Sequence, residues 1–293
     1  MGYDEFGMLH DNAAEVGLPW SGDPVVRRIS LAVDGPRRLS ALRWGDGDPE
    51  VVLLHGGAQN AHTWDTVALA LDRPLLAVDL PGHGHSDWRA DRAYWPADNA
   101  TDLAVAIRDW APNARAVVGM SLGGVSAIAL AASAPELVRR LVVVDVTPGV
   151  DEEKASPVIA FVAGPESFAG FDEMLERTIA YNPTRSESSL RRGVLHNAHE
   201  LPDGTWSWRY DRFHLPEGAA APDFRALWDD VSAIGAPVML VRGGQSGVVS
   251  DADVEEFRRR QPSVRVEIVA GAGHSIQGDR PLELAALIRD FLE

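Results

Sequence analysis

Short, unbroken apolar runs recur along the chain: Val-Val-Leu-Leu at 51–54, Leu-Leu-Ala-Val at 75–78, Ala-Val-Val at 116–118, Leu-Val-Val-Val at 141–144 and Val-Met-Leu-Val at 238–241. None alternates with polar residues, the pattern of a strand covered on both faces, as parallel strands are. Two longer strand-like runs, 25–33 and 38–44, flank Asp34-Gly35-Pro36 and predict a hairpin ahead of them. Helical stretches fall between the apolar runs at 61–71 and 97–111, and an Ala-rich helix starts at Val125. A helix opened by Ser250-Asp251-Ala252-Asp253, a strand at 264–269 and a closing helix from Pro281 complete the series. Strands alternating with helices predict an α/β fold with a mostly parallel sheet and helices on both faces.

The rhythm stops at about 150 and resumes at 236. Between them the pattern predicts helices at 152–162, 171–181, 186–199 and 222–233, with breaks at Pro157, Gly164-Pro165, Pro183 and Pro202. The stretch is rich in aromatics: Phe161, Phe168, Phe171, Tyr181, Trp206, Trp208, Tyr210 and Phe213. An insertion this long between two sheet strands is commonly functional, and residues 150–235 are read as a helical cap. Residues 1–24 carry little periodicity and are read as an arm over a core formed by 25–149 and 236–293.

A chain of 293 residues suits one large α/β domain with an insertion. No apolar run reaches the roughly 18 residues of a membrane span, and the acidic start Met1-Gly2-Tyr3-Asp4-Glu5-Phe6 lacks a secretory pattern. The absence of cysteine excludes disulfides, thiolate metal sites and a cysteine nucleophile. A formal charge of −16 opposes binding to nucleic acid or anionic lipid. A cytoplasmic protein with a small, neutral or apolar ligand and no cofactor is expected.

Chemistry enters at Gly119-Met120-Ser121-Leu122-Gly123, where a buried strand turns into a helix. A serine on such a bend is held in a strained conformation that lifts its hydroxyl above the sheet edge. The helix N-terminus sets backbone N–H groups beside it. A serine hydroxyl needs a base to take its proton. His274, in the loop Gly271-Ala272-Gly273-His274 after the last strand, belongs to the same carboxyl-end crevice as Ser121. His83 and His85, in a Gly-Pro-rich loop, are read as stabilising that loop. His196 and His199 could share a helix face, but two histidines alone predict no metal site.

Together, the strand ending His55-Gly56-Gly57, the loop 79–86 (Asp-Leu-Pro-Gly-His-Gly-His-Ser), the bend at 119–123 and Gly271-Ala272-Gly273-His274 resemble the α/β-hydrolase superfamily, in its serine esterase and lipase-like branch. The resemblance implies that fold with a helical cap, and a catalytic triad. It also implies an oxyanion hole from the backbone N–H groups of Gly57 and Leu122, donors whose single removal costs about 3–4 kcal/mol in other enzymes.

The acid departs from the common pattern. Gly243-Gly244-Gln245-Ser246-Gly247, where members usually carry an aspartate, has no carboxylate. The resemblance offers Asp145, at the end of the strand after the Ser121 helix, with Asp251 as the alternative. His55, Phe161, His196 and Trp206 are candidate pocket residues. A serine nucleophile disfavours the aspartate-nucleophile dehalogenases and epoxide hydrolases. That leaves ester, lactone, thioester, amide or carbon–carbon bond cleavage, with carboxylic esters favoured. The alternatives are a lyase on the same scaffold and a catalytically silent small-molecule-binding protein.

Overall fold

In the computed structural model, which describes residues 3–150, 152–182, 185–212 and 224–293, the apolar runs form a single eight-stranded sheet. Its strands are β1 (Val26–Asp34), β2 (Arg37–Trp44), β3 (Val51–Leu54), β4 (Leu75–Asp79), β5 (Ala116–Met120) and β6 (Leu141–Val144). A separate two-stranded hairpin, β7 (Ala198–Glu200) with β8 (Trp206–Trp208), precedes β9 (Val238–Gly243) and β10 (Arg265–Val269). The order is β1-β2-β4-β3-β5-β6-β9-β10, with β1–β2 and β2–β4 antiparallel and every other pair parallel. Order reversal beside β3 places a crevice at the carboxyl ends of β3 and β5, where open α/β sheets bind ligands.

The helices are α1 (Leu9–Glu15), α2 (Asp65–Leu71), α3 (Pro96–Trp110), α4 (Leu122–Ser133), α5 (Glu152–Val162), α6 (Phe171–Tyr181), α7 (Glu187–Asn197), α8 (Leu227–Ala233), α9 (Asp251–Arg260), α10 (Ile276–Asp279) and α11 (Pro281–Leu292). Alternate strand residues feed two cores. Val52, Leu54, Val117 and Val143 pack with α3, α4, α8 and α9, while Val51, Leu53, Val118 and Val144 face α1, α2 and α11. This period of two is why each run had to be apolar throughout. Among the described residues no helix is long and apolar enough to cross a membrane.

Several elements differ from the sequence reading. The segment 1–24, read as an arm, contains a helix the sequence pattern did not show: α1 buries Leu9 and Ala13, with Leu9 in the core beside α2. Pro157 does not break α5, and the Glu153 carbonyl that a proline N–H cannot reach is taken by the Ser156 hydroxyl at 2.8 Å. The predicted helix 186–199 stops at Asn197, so His199 stands on β7 and shares no helix face with His196. α8 packs against α4 and α9, with Trp228 and Val231 in the sheet's core, although the sequence reading placed it in the insertion. Pro183, Phe213 and the start of the 222–233 segment lie outside the described residues.

Candidate active site

β5 ends at Met120, and Ser121 takes φ 50°, ψ −118° before α4 begins. The bend is held by its own amides: Ser121 N–H donates to Val144 O (3.1 Å) and Gly123 N–H to His55 O (3.0 Å). A Cβ on Gly119 would stand 2.3 Å from Gly123 O, and one on Gly123 would stand 2.4 Å from Leu54 O. Both obstacles are backbone, so only glycine fits at either position.

Asp145 follows β6 with φ 51° and is fully buried. One carboxylate oxygen accepts the Gly243 N–H at 2.8 Å. The other accepts from the Ser246 hydroxyl and lies 2.8 Å from His274 Nδ1. An ionised carboxylate there keeps the proton on Nδ1 and leaves Nε2 as a base. Ser121 and His274 line one cavity of about 460 Å³. Among the described residues no hydrogen bond joins their side chains; such contacts are often long until a substrate bridges them. Asp251 is elsewhere: its exposed carboxylate pairs with Arg242, at the start of a helix closed by the Ser250–Asp253 capping box.

Gly57 lines the same cavity, and Leu122 supplies the first amide of α4. Among the described residues neither N–H has an acceptor in the protein. Ala58, next to Gly57, has φ 60°, so three residues with positive φ other than glycine (Ala58, Ser121 and Asp145) ring this crevice. Backbone strain concentrated in this way is characteristic of functional sites. The loop is pinned from behind, where His83 Nε2 accepts the Ala58 N–H at 3.2 Å and Gln59 Oε1 accepts from Gly56 N–H and Gln277 Nε2, both at 3.2 Å. His83 thus supports its loop as expected; among the described residues His85 does so through its backbone N–H, which donates to Asp79.

Of the candidate pocket residues, Phe161 and His196 line the cavity and His55 and Trp206 do not. His55 is fully buried, with Nδ1 2.7 Å from Gly56 O and Nε2 accepting the Leu80 N–H at 2.9 Å. Burial, with His83 beside it, pushes its pKa down to about 3, so it is a neutral strut. Trp206 packs on Phe171 within the cap, while Trp208, on the same face of β8 and roughly 7 Å along it, reaches the cavity. Ser246, Gln59 and Gln277 were missed: each acts on a partner remote in sequence, and nothing in the local pattern marks them.

His62, Asp65 and His196 each offer a ligand atom, all within 4.8 Å of one another. The two rings lie face to face, 3.7 Å between centroids and 10° between planes. Their lone pairs therefore lie in two separate, near-parallel planes and do not converge on one ion. Burial alone would lower the His62 pKa, but Asp65 at 2.9 Å and Glu5 at 3.2 Å raise it to about 9. The group holds a proton. His196 is driven well below its ordinary range by burial and by the charge on His62.

Three relatives fit this geometry. The esterase Rv0045c of Mycobacterium tuberculosis is 48% identical over 300 residues, covering 100% of this chain and 97% of its own. Its crystal structure superposes with a TM-score of 0.89 over 100% of this chain and 99% of that one. A 3-hydroxybutyrate-oligomer hydrolase of Cupriavidus necator is 30% identical over 86% of this chain and 92% of its own. A crystal structure of E-2-(acetamidomethylene)succinate hydrolase, 26% identical, gives a TM-score of 0.77 over 91% of this chain and 99% of that one. The Alpha/beta hydrolase family matches residues 51–287. With the fold, the bend and these likenesses in agreement, the chain belongs to the alpha/beta hydrolase family.

Proposed function

We propose that the protein is a serine hydrolase that cleaves a small carboxylic ester through an acyl-enzyme. The observation that carries this reading is the 2.8 Å contact of buried Asp145 with His274, whose ring lines the same cavity as the strained Ser121. In this mechanism His274 Nε2 takes the Ser121 proton as Oγ attacks the ester carbonyl, and the oxyanion is received by the Gly57 and Leu122 N–H groups. His274 then protonates the leaving alcohol. Water, deprotonated by the same imidazole, attacks the acyl-enzyme and releases the acid and Ser121. Asp145 holds the tautomer and stabilises the imidazolium.

The relative named as an esterase, alike along its whole length, supports the ester class. The silent-binder alternative drew on the loop 243–247 lacking a carboxylate, and Asp145 beside His274 removes that support. α5, α6, α7 and β8 contribute Phe161, Tyr181, Val194 and Trp208 to the cavity wall, which supports a cap role for the insertion up to α8. Fluorophosphonate labelling tests the reading: the native chain should be labelled and should hydrolyse chromogenic esters, and Ser121→Ala should do neither. An unlabelled, inactive native protein would refute it.

A further inference from the structure

The cavity holds a cation that ester chemistry does not use. Arg185 stands just before Ser186, the N-cap of α7, and its side chain lines the cavity with Ser121 and His274. Nη2 donates to Ser189 Oγ at 2.6 Å and Nε is shielded without a hydrogen-bond partner, while among the described residues Nη1 has no partner and is not sealed off. Among the described residues no carboxylate lies within ion-pair distance of it. Arg192, in the same wall, differs at every nitrogen: Nε donates to Asn12 (2.6 Å), Nη1 to Ser188 (2.7 Å) and Nη2 to Glu15. Buried Arg192 is therefore fully committed to the fold, and part-buried Arg185 is not.

The Arg185 guanidinium has a defined seat. A Cβ on Gly278 would lie 2.8 Å from both Cζ and Nη1, so the planar group rests on the turn that follows His274-Ser275. Asp279, close enough to favour the charge, gives one oxygen to Gly273 N–H at 2.8 Å, and Glu15 is engaged by Arg192 and Ser186. Burial pushes Arg185 below the ordinary guanidinium range, yet arginine keeps its proton in proteins. A part-buried cation with a shielded, unpaired Nε is costly unless something completes it. Phe161, Val162, Tyr181 and Leu190 form apolar wall in the same cavity.

We propose that Arg185 receives a carboxylate carried by the substrate, so that the enzyme acts on small esters with an apolar spacer and an acidic far end. The inference rests on the ester-hydrolase reading of Ser121 and His274. The Nη1 N–H groups, charged and without a protein partner among the described residues, match a carboxylate better than they match any neutral group. The net charge of −16 predicted a neutral or apolar ligand, but charges beyond about 10 Å are screened, and the local cation decides.

The test compares aryl monoesters of succinic, glutaric, adipic and pimelic acid with matched neutral aryl alkanoates. At the best spacer length, kcat/KM should favour the acidic ester by roughly 10–100-fold, chiefly through KM. Arg185→Gln should collapse that ratio towards one, and Arg185→Lys should retain part of it. Gly278→Ala, which displaces the guanidinium without removing its charge, should lower the ratio too, and this covers an Arg185→Gln chain that fails to fold. No preference at any length, or a preference that survives both Arg185→Gln and Gly278→Ala, overturns the proposal. Calorimetric binding of a non-hydrolysable ether analogue of the acidic ester reads the subsite without turnover. Arg185-dependent binding with no ester cleavage refutes the hydrolase reading alone, whereas cleavage of neutral esters with no acidic preference refutes the subsite alone.

Discussion

Asp145 meets His274 through an oxygen that also accepts from Ser246, while its other oxygen holds Gly243 N–H. Asparagine cannot accept at all three contacts, because one end of its amide is a donor. Turned towards His274, that donor would force the proton onto Nε2 and abolish the base. Asp145→Asn should therefore lower kcat by about 10³–10⁴, while Asp251→Asn, at an exposed helix start, should change it by less than about 10-fold; steady-state kinetics on one chromogenic ester measures both. Ser246→Ala removes one of three donors and should cost roughly 3–10-fold in kcat, with the Asp145–His274 pair kept. The gathering of Ser121, His274 and Asp145 on one sheet edge was legible because each follows the end of a strand, and strand ends can be read from apolar runs. Ser246 was not, since its partner is 101 positions away and a serine among glycines has no period. His55 was misread for a related reason: its motif places it beside the crevice, but only coordinates reveal that both ring nitrogens face backbone.

Loops at the ends of β3 and β4 are stabilised by histidines held in opposite charge states, which ties the site's framework to pH. His55, pushed down to about 3 by burial, and His83, also lowered by burial, are neutral when folded but titrate near 6.5 when unfolded. Their contribution is complete above pH 6.5 and is lost as pH falls, for His55 through about 3. His62, raised to about 9 by Asp65 and Glu5 against its burial, works in the other direction: its contribution is complete below 6.5 and is lost as pH rises through 9. Stability should therefore peak near pH 6.5, with limbs of up to about 1.4 kcal/mol per pH unit for each histidine. Urea midpoints across pH test this. His62→Gln should flatten the alkaline limb, and an unchanged limb would remove His62 as its source. The His62 charge could not be read in the chain, because Glu5 reaches the His62–Asp65 pair only once the N-terminal segment folds back on α2.

At the scale of the molecule, β3 and β6 fall on the bounds their apolar runs predicted, since a strand buried on both faces must be apolar throughout. The β7–β8 hairpin escaped notice because three-residue strands are too short to show a period, and α8 was assigned to the insertion because a helical pattern does not name its partner. The insertion is tied to the rest of the chain at Lys154–Asp253 (2.8 Å), Tyr94–Asp211 (2.7 Å) and Arg192–Glu15. The last tie reaches α1, so the N-terminal helix acts as a strap on the cap. Arg192 is 7% exposed, and without the Glu15 carboxylate its buried charge keeps only Asn12 and Ser188. Glu15→Gln should therefore destabilise the fold by about 2 kcal/mol, discounted from the buried-pair range because Glu15 itself is partly exposed. The loosened α7 should also raise KM more than it lowers kcat, since Glu15 and Arg192 touch none of the reacting groups. Hydrogen exchange localises the effect: faster exchange confined to α1 and α7 is the expected result, and uniform loss of protection across the sheet would show that the strap serves the core and not the cap.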